Sequence, residues 1–344
     1  MAEPRRTSQP ATLSVIAKAA GVSTATVSRA LNHPGMLLPE TVQRVRQLAE
    51  QLGYISNRAA RALATGQSDL VLLVVPDIAN PFFPRLVRSA QRALIDAGLY
   101  GVLVDTADDP DTEARLIEQV GRNAWGVVNM SSRLPDDLLT EVATVRPTVL
   151  VNRQAAGIPG IMLDAEAGIR SAIGHLLELG HTRFAYVSGP AVSFSNSRRL
   201  ASVRDSLAEN PATQLVLVSP GDSTFDGGVA ATDQVLASGA TAVQVFDDVM
   251  AQGLMHGLLE RQVRVPEDVS IVGCDGTLAP SIRGTLATVA LDYEYAGAWA
   301  AATLLALRDP TGTPPDSTSL SGEFLTGDTI APPSSPVSGG SDVG

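Results

Sequence analysis

From Leu70 onward the chain repeats one pattern: an apolar run of strand length, a turn, then a stretch with helical periodicity. The runs are Leu70–Val75, Gly101–Asp105, Gly126–Met130, Thr148–Val151, Phe184–Ser188, Gln214–Val218, Ala242–Phe246, Val269–Gly273 and Ala287–Ala290. Amphipathic stretches such as Phe83–Ala97 and Ala167–Leu179 lie between them. Such alternation requires parallel sheets joined by right-handed crossovers. In these sheets a ligand lies beyond the carboxyl ends of the strands. The polar residues that follow each run are therefore the ones to examine.

The residues before Leu70 follow a different rule. Leu13, Ile16, Ala17 and Ala20 fall on one helical face. Gly21 then supplies the backbone freedom for a tight turn, and Val22 tucks between two helices. Ser23 suits the N-cap of a second helix, Thr24–Leu31, whose Val27 and Leu31 continue the apolar stripe. Asn32-His33-Pro34-Gly35 stops that helix. A third helix starts at Pro39 and runs to about Leu52, with Val42, Val45, Ala49 and Leu52 on its buried face. Three short helices with a small-residue turn between the first two form a helix-turn-helix, a DNA-reading unit.

The net charge of −11 argues against a nucleic-acid binder until it is divided along the chain. Residues 1–66 hold eight basic and three acidic side chains, a balance of +5; the remainder holds 17 basic and 33 acidic ones, a balance of −16. A basic head on an acidic body is what a protein needs if only its head approaches phosphates. The single cysteine, Cys274, excludes an internal disulfide framework and a multi-cysteine metal cluster. No signal peptide, membrane-spanning run, phosphate loop, nucleophile elbow or His-Glu-x-x-His motif is present, so the expectation is a cytoplasmic chain with no enzyme activity, metal or cofactor, and with no membrane among its partners. Asp247 and Asp248 invite an acid–base reading, but neighbours at a helix start point apart.

In a helix-turn-helix the start of the second helix enters the major groove. Thr24 and Ala25 then lie nearest the base edges, with Arg29 one turn on; Ala25 offers a methyl contact and Thr24 a hydrogen bond. The hydroxyls of Thr12, Ser23, Thr26 and Ser28 suit phosphate oxygens, although Thr24 and Ser28 read equally as cap and surface. Beyond Tyr54, Asn57 can cap a short helix with Ala60, Leu63 and Ala64 on one face and Arg58 and Arg61 toward phosphates. So short a helix is marginal alone, which suggests that it folds only when two copies meet on DNA.

Thr12-Leu13, Ala17, Ala20-Gly21-Val22-Ser23, Thr26-Val27-Ser28-Arg29-Ala30-Leu31-Asn32, Leu52-Gly53-Tyr54 and Asn57-Arg58-Ala59-Ala60 together resemble the lactose-repressor/galactose-repressor (LacI/GalR) family. His175 to Arg183 and Val187-Ser188-Gly189 extend the likeness into the body. The resemblance implies an all-α helix-turn-helix domain followed by a two-lobed, periplasmic-binding-protein-like (type I) α/β core. It implies a homodimer on near-palindromic double-stranded operator DNA, with Asn32, Tyr54 and Ala60 joining the contact set. It makes Leu63 an apolar wedge in the minor groove, the alternative being a helix-packing residue. The absence of leucine heptads at the C-terminus leaves the dimer as the default assembly.

The same resemblance implies a small polar effector, a sugar or nucleoside-like molecule, held between the lobes. It places Phe82, Arg199, Asp248 and Asp275 against that effector. Two adjacent aromatics on a helix do not both face inward, which leaves Phe82 for the ligand; Asp248 reads alternatively as the cap of a helix starting at Val249. Several positions depart from the family pattern: Val15, Leu38 and Ser56 in the head and hinge, and Trp125, Ala165, Asp247 and Ser223 in the core. They suggest a smaller, more hydrophilic pocket and a missing cap before Pro39. The mechanism implied is a population shift between two lobe arrangements, with a coupling of about 1–3 kcal/mol, acting in repression as is usual in the family. The alternative is a cytoplasmic ligand sensor or sugar-processing enzyme with a non-specific DNA anchor. The expected divisions are a flexible N-terminus (1–10), the helix-turn-helix (11–56), a hinge (57–68), the two-lobed core (69–330) and a disordered tail (331–344).

Overall fold

The computed structural model describes residues 12–32, 34–54, 68–278, 284–308 and 315–334. They fall into two units that divide between Ser68 and Asp69. The first unit holds α1 (Leu13–Ala20), α2 (Thr24–Asn32) and α3 (Pro39–Gln51), with a 3-10 turn at Pro34–Met36. Gly21 ends α1 at φ 67°, a left-handed conformation that glycine adopts without a Cβ clash, and its N–H reaches Ala17 O. Ile16, Val27 and Val45 are fully buried where the three helices meet, each worth roughly 1.5–3 kcal/mol of burial. Val22, Leu31, Leu48 and Tyr54 pack around them. Leu52, expected in this core, is instead the residue that follows α3 and is 40% exposed, because the helix ends at Gln51 and Leu48 takes the inward position. Leu38 precedes α3 with no side-chain cap, as its lack of a hydroxyl predicts.

The second unit is built on two six-stranded sheets. Its strands are β1 (Leu70–Val75), β2 (Tyr100–Asp105), β3 (Gly126–Met130), β4 (Thr148–Val151), β5 (Gly160–Asp164), β6 (Arg183–Val187), β7 (Gln214–Val218), β8 (Ala242–Val245), β9 (Ser270–Asp275), β10 (Ala287–Ala290), β11 (Thr318–Ser321) and β12 (Glu323–Leu325). Between them run α4 (Phe82–Asp96), α5 (Pro110–Gly121), α6 (Asp136–Val145), α7 (Glu166–Glu178), α8 (Phe194–Ala208), α9 (Phe225–Ala230), α10 (Thr232–Ser238), α11 (Asp248–Glu260) and α12 (Tyr293–Ala306). The first sheet has the order β11-β5-β4-β3-β1-β2 and the second β12-β10-β9-β8-β6-β7. All pairings are parallel except β12 against β10. A helical head and a two-lobed, parallel-rich α/β core are thus the architecture the sequence predicts.

Central strands such as β1, β3 and β4 are buried on both faces, which is why they read as unbroken apolar runs. Apolar side chains fill both faces of the sheets: Leu73, Val128 and Val149 are fully buried on one face of the first sheet, Val127 and Leu150 on the other, and Val187, Val243 and Ile271 in the second.

The chain passes between the lobes three times: from β5 to α7, from β10 to α12 and from β11 to β12. The three connections lie side by side. Gly322 N donates to Asp164 O at 2.7 Å. A Cβ on Gly168 would stand 2.4 Å from Val289 Cγ1 and 3.2 Å from Gly322 O. Although it follows the second lobe in sequence, α12 packs on α4 and against β3, β4 and β5 of the first.

The segment expected to be disordered from residue 331 begins with an anchored residue. Ala331 N donates to Ser270 Oγ, and Ala331 O bonds both Ser270 Oγ and His181 Nε2, at 2.8–3.0 Å. Its backbone is thereby tied to β9, and residues 335–344 lie outside the described set.

Candidate functional site

In the head, Ser23 caps α2 as its position predicts. Ser23 Oγ accepts from Thr26 N at 3.1 Å and lies 2.9 Å from Thr26 Oγ1. These two hydroxyls therefore organise the start of the helix as well as facing outward. Thr12, Ser23, Thr24, Ala25 and Arg29 are exposed, while Thr26 and Ser28 are half-buried. Ala25 and Arg29, one turn apart, share the face of α2 opposite the buried Val27 and Ala30, and Thr24 is exposed at the helix start. Asn32 closes α2, and Tyr54 is half-buried against the three-helix core with its N–H on Ala49 O. Asn57, Arg58, Ala60, Arg61 and Leu63 lie outside the described residues.

In the core, a narrow cleft with about 20 Å³ of free room lies between the lobes. The first lobe contributes Asn80, Phe82, Asp108, Ser131, Arg133 and Asn152; the second contributes Ser195, Arg199, Ser223, Phe246, Asp247 and Asp275. Asp77 also lines the first-lobe wall. Most sit just past the carboxyl ends of strands. Asp108, Ser131, Asn152 and Asp275 hold φ values of 58°, 55°, 55° and 108°. Non-glycine residues in that region are rare and strained, and four of them around one cleft mark a place where the fold fixes side-chain direction against local preference. Asn80 Nδ2 donates to Asp247 Oδ2 at 3.0 Å, a buried bond from one lobe to the other.

Arg199 is the centre of the second-lobe wall. Its Nη1 donates to Phe246 O, its Nη2 to Asp275 Oδ1 at 2.6 Å, and its guanidinium stacks over the Phe246 ring at 4.8 Å. Burial alone would depress its pKa, but the adjacent Asp275 carboxylate holds it above the ordinary value. Burial raises Asp275 against the pull of Arg199. Asp247 is pushed up to about 8, first by burial and then by the negative charge of Asp275. Asp248 is pushed up to about 7 by the same two causes. Three buried carboxyls thus share one guanidinium.

The structure brings three of the four expected core residues, Phe82, Arg199 and Asp275, into the cleft. Asp248 departs from expectation in both of its readings. The cap of α11 is Asp247, whose Oδ1 accepts from Met250 N at 2.8 Å, and Asp248 is the first helical residue. Asp248 is 1% exposed and its carboxylate is spent on Thr277 N at 2.8 Å and Thr288 Oγ1 at 2.6 Å. Shifted one position along the chain, the cleft carboxylate is Asp247. The argument that adjacent aromatics cannot both face inward also fails. Phe82 and Phe83 are both buried, edge to face at 5.0 Å, because α4 begins at Phe82 and its first turn is wedged between Tyr293 and the cleft.

Asn80, Ser131, Arg133 and Asn152 were not anticipated. The signal for two of them was available, since Ser131 and Asn152 directly follow β3 and β4. Arg133 is held by Asp108 Oδ1 at 2.7 Å and by Ser131 O at 2.9 Å, and the buried Glu113 fixes its backbone by accepting from Arg133 N at 2.8 Å.

Comparison with known proteins places this geometry. Residues 12–57 match the model of bacterial regulatory proteins of the lacI family, and residues 173–330 match a periplasmic binding protein-like domain. The chain is 32% identical over 313 residues to the HTH-type transcriptional regulator GalR of Salmonella typhimurium, covering 88% of this chain and 91% of that one. Among solved structures, the lac repressor dimer bound to operator and the anti-inducer ONPF superposes with a TM-score of 0.81 at 27% identity, over 94% of this chain and 100% of that one. The complex of the transcriptional regulator CelR with cellobiose superposes with a TM-score of 0.66 at 28% identity, over 93% and 99%. A helix-turn-helix unit, a two-lobed core and these relatives along nearly the full length agree: the chain belongs to the LacI family of bacterial regulatory proteins.

Proposed function

We propose that the chain is a transcriptional repressor that binds near-palindromic operator DNA as a homodimer and is controlled by a small polar, sugar-like effector in the interlobe cleft. The observation that carries this reading is the Asn80–Asp247 bond inside the cleft. A ligand that enters there exchanges a lobe-to-lobe hydrogen bond for its own contacts. It therefore binds one lobe arrangement better than another, which is the requirement for shifting a conformational equilibrium. Arg199 and Asp275 are the effector contacts in the second lobe, Asn152 and Phe82 those in the first.

On the DNA side, Thr24, Ala25 and Arg29 read base edges from α2, and Thr12, Ser23, Thr26, Ser28, Asn32 and Tyr54 position the unit on phosphates. The proposal extends to Asn57, Arg58, Ala60, Arg61 and Leu63 as the minor-groove segment. Support comes from the relatives: one is named a transcriptional regulator, one is a dimer bound to operator, and one is bound to cellobiose.

Selection from a random duplex library, sequenced and repeated with sugars and nucleosides, tests the reading. A single two-fold symmetric motif whose enrichment changes with one compound is expected. Enrichment of no sequence, or a motif that no cleft substitution and no compound affects, overturns it.

A further inference from the structure

The acidic side chains lining the cleft outnumber the basic ones. Asp108 is paired with Arg133 at 2.7 Å and Asp275 with Arg199 at 2.6 Å. Arg198, at the neighbouring rim, is taken by Asp164 at 3.2 Å. Asp77 and Asp247 remain, and among the described residues no cation lies within ion-pair distance of either. Among the described residues, Asp77 accepts only from the backbone of Ala79, at 2.8 Å. Asp247 accepts from Met250 N and from the neutral amide of Asn80.

A second, independent feature points the same way. Asn152, 3% exposed, stands in the opposite wall of the cleft at the end of β4. Its Nδ2 donates to Ser131 Oγ at 3.2 Å, and its Oδ1 is buried with no partner. A buried acceptor without a donor is costly, and the residue that carries it lines a site already rich in acceptors. What the cleft lacks is donors and positive charge. Asp247, which keeps its proton near neutral pH in the ligand-free fold, releases it to solvent when an ammonium sits beside it. The ammonium supplies three donors and a charge, whereas hydroxyls of a neutral sugar satisfy the carboxyls only in part.

We infer that the effector is an amino sugar, a polyhydroxylated ring bearing a protonated amine, with Asp247 as the carboxylate that selects the amine. The inference rests on the reading of the cleft as the effector site. By the same charge balance the site rejects anions, so sugar phosphates are excluded.

Calorimetric titration of the full chain tests this, with glucosamine, galactosamine and mannosamine, their neutral parent hexoses, their N-acetyl forms and glucose 6-phosphate as probes. One amine is expected to bind at least about tenfold more tightly than its parent and its N-acetyl form, as befits a charge-assisted contact. Asp247→Asn, shown to be folded by its melting curve, should erase that ratio, and the phosphate should not bind. Parent or acetylated sugars that bind as tightly as the amine, through a cleft that Arg199→Ala disables, overturn the amine and leave the cleft as the effector site. Binding of none of the panel, or binding that Arg199→Ala and Asn152→Ala leave untouched, overturns both.

Discussion

Replacing Asp247 by asparagine should stabilise the ligand-free protein, and should do so more strongly as pH rises. Asp247 is 1% exposed and ionises near 8 in the fold, against 3.8 for the unperturbed side chain. At pH 7 the folded protein must keep a proton on a group that the unfolded chain has released, which costs on the order of 4 kcal/mol. The sign follows from proton uptake. A folded-state pKa above the unfolded value favours the fold fully below about pH 4, and that advantage is lost as pH rises through about 8. Asparagine removes the titration and remains a good cap for α11, since its carbonyl oxygen can still accept from Met250 N, although its amide then meets the Asn80 amide and the lobe-to-lobe bond is lost. Because Asp247 shares its titration with Asp275, about half of the linkage is expected to return, roughly 2 kcal/mol, or about 4–8 °C in Tm for a unit of this size. Melting curves of both proteins at intervals from pH 5 to 9 measure it. A gap between the curves that widens with pH bears out the reasoning. A constant gap, or a variant less stable than the parent at pH 8, refutes it.

Three further outcomes are expected. Ser23→Ala should cost the head about 1 kcal/mol by removing the bond to Thr26 N, read as a lower melting point of the helical unit or weaker duplex binding. Gly253→Ala should destabilise the second lobe by several kcal/mol, because the new Cβ would lie 1.9 Å from Phe225 O, a backbone atom that cannot turn aside; a Tm within about 1 °C of the parent would contradict the close approach of α9 and α11. Arg199→Ala should cost about 3–5 kcal/mol at pH 8, since it leaves Asp275 buried without its cation, and Asp275→Asn in the same background should restore much of it; urea titrations of the single and double variants decide.

The legible parts of this molecule are those with one dominant period. Leu70–Val75, Gly126–Met130 and Thr148–Val151 were readable to the residue because a strand buried on both faces has no polar interruption. β5 was hidden, since Gly157, Pro159 and Gly160 crowd its start with turn signals although Ile161 to Leu163 are buried. β11 and β12 carry too few apolar residues to show a period; each forms at a sheet edge because a neighbour offers it a ladder. In the site, Arg199 and Asp275 were found because the sequence around them resembles a known family. Asp247 was passed over for Asp248 because two adjacent carboxylates look alike until the helix start is known. One residue of difference exchanges a cleft position for a buried one bonded to Thr277 and Thr288. Asn80 and Arg133 acquire their places from partners 167 and 25 residues away, a relation that no local pattern carries.

The return of α12 and β11 to the first lobe has a consequence for how the protein is made. On a ribosome, β1 to β5 emerge first, yet the helix that covers β3, β4 and β5 is Tyr293–Ala306, and the strand that completes their sheet is Thr318–Ser321. Until both have been synthesised, the first lobe carries an uncovered apolar face and an open sheet edge, while the whole of β6 to β10 is added to the growing chain. Most of the second lobe, β6 to β10, is continuous in sequence and can condense meanwhile, although its edge strand β12 also waits for the end of the chain. A nascent chain stalled near residue 290 should therefore be a substrate for chaperones through its first lobe, and release of the remaining residues should end that association.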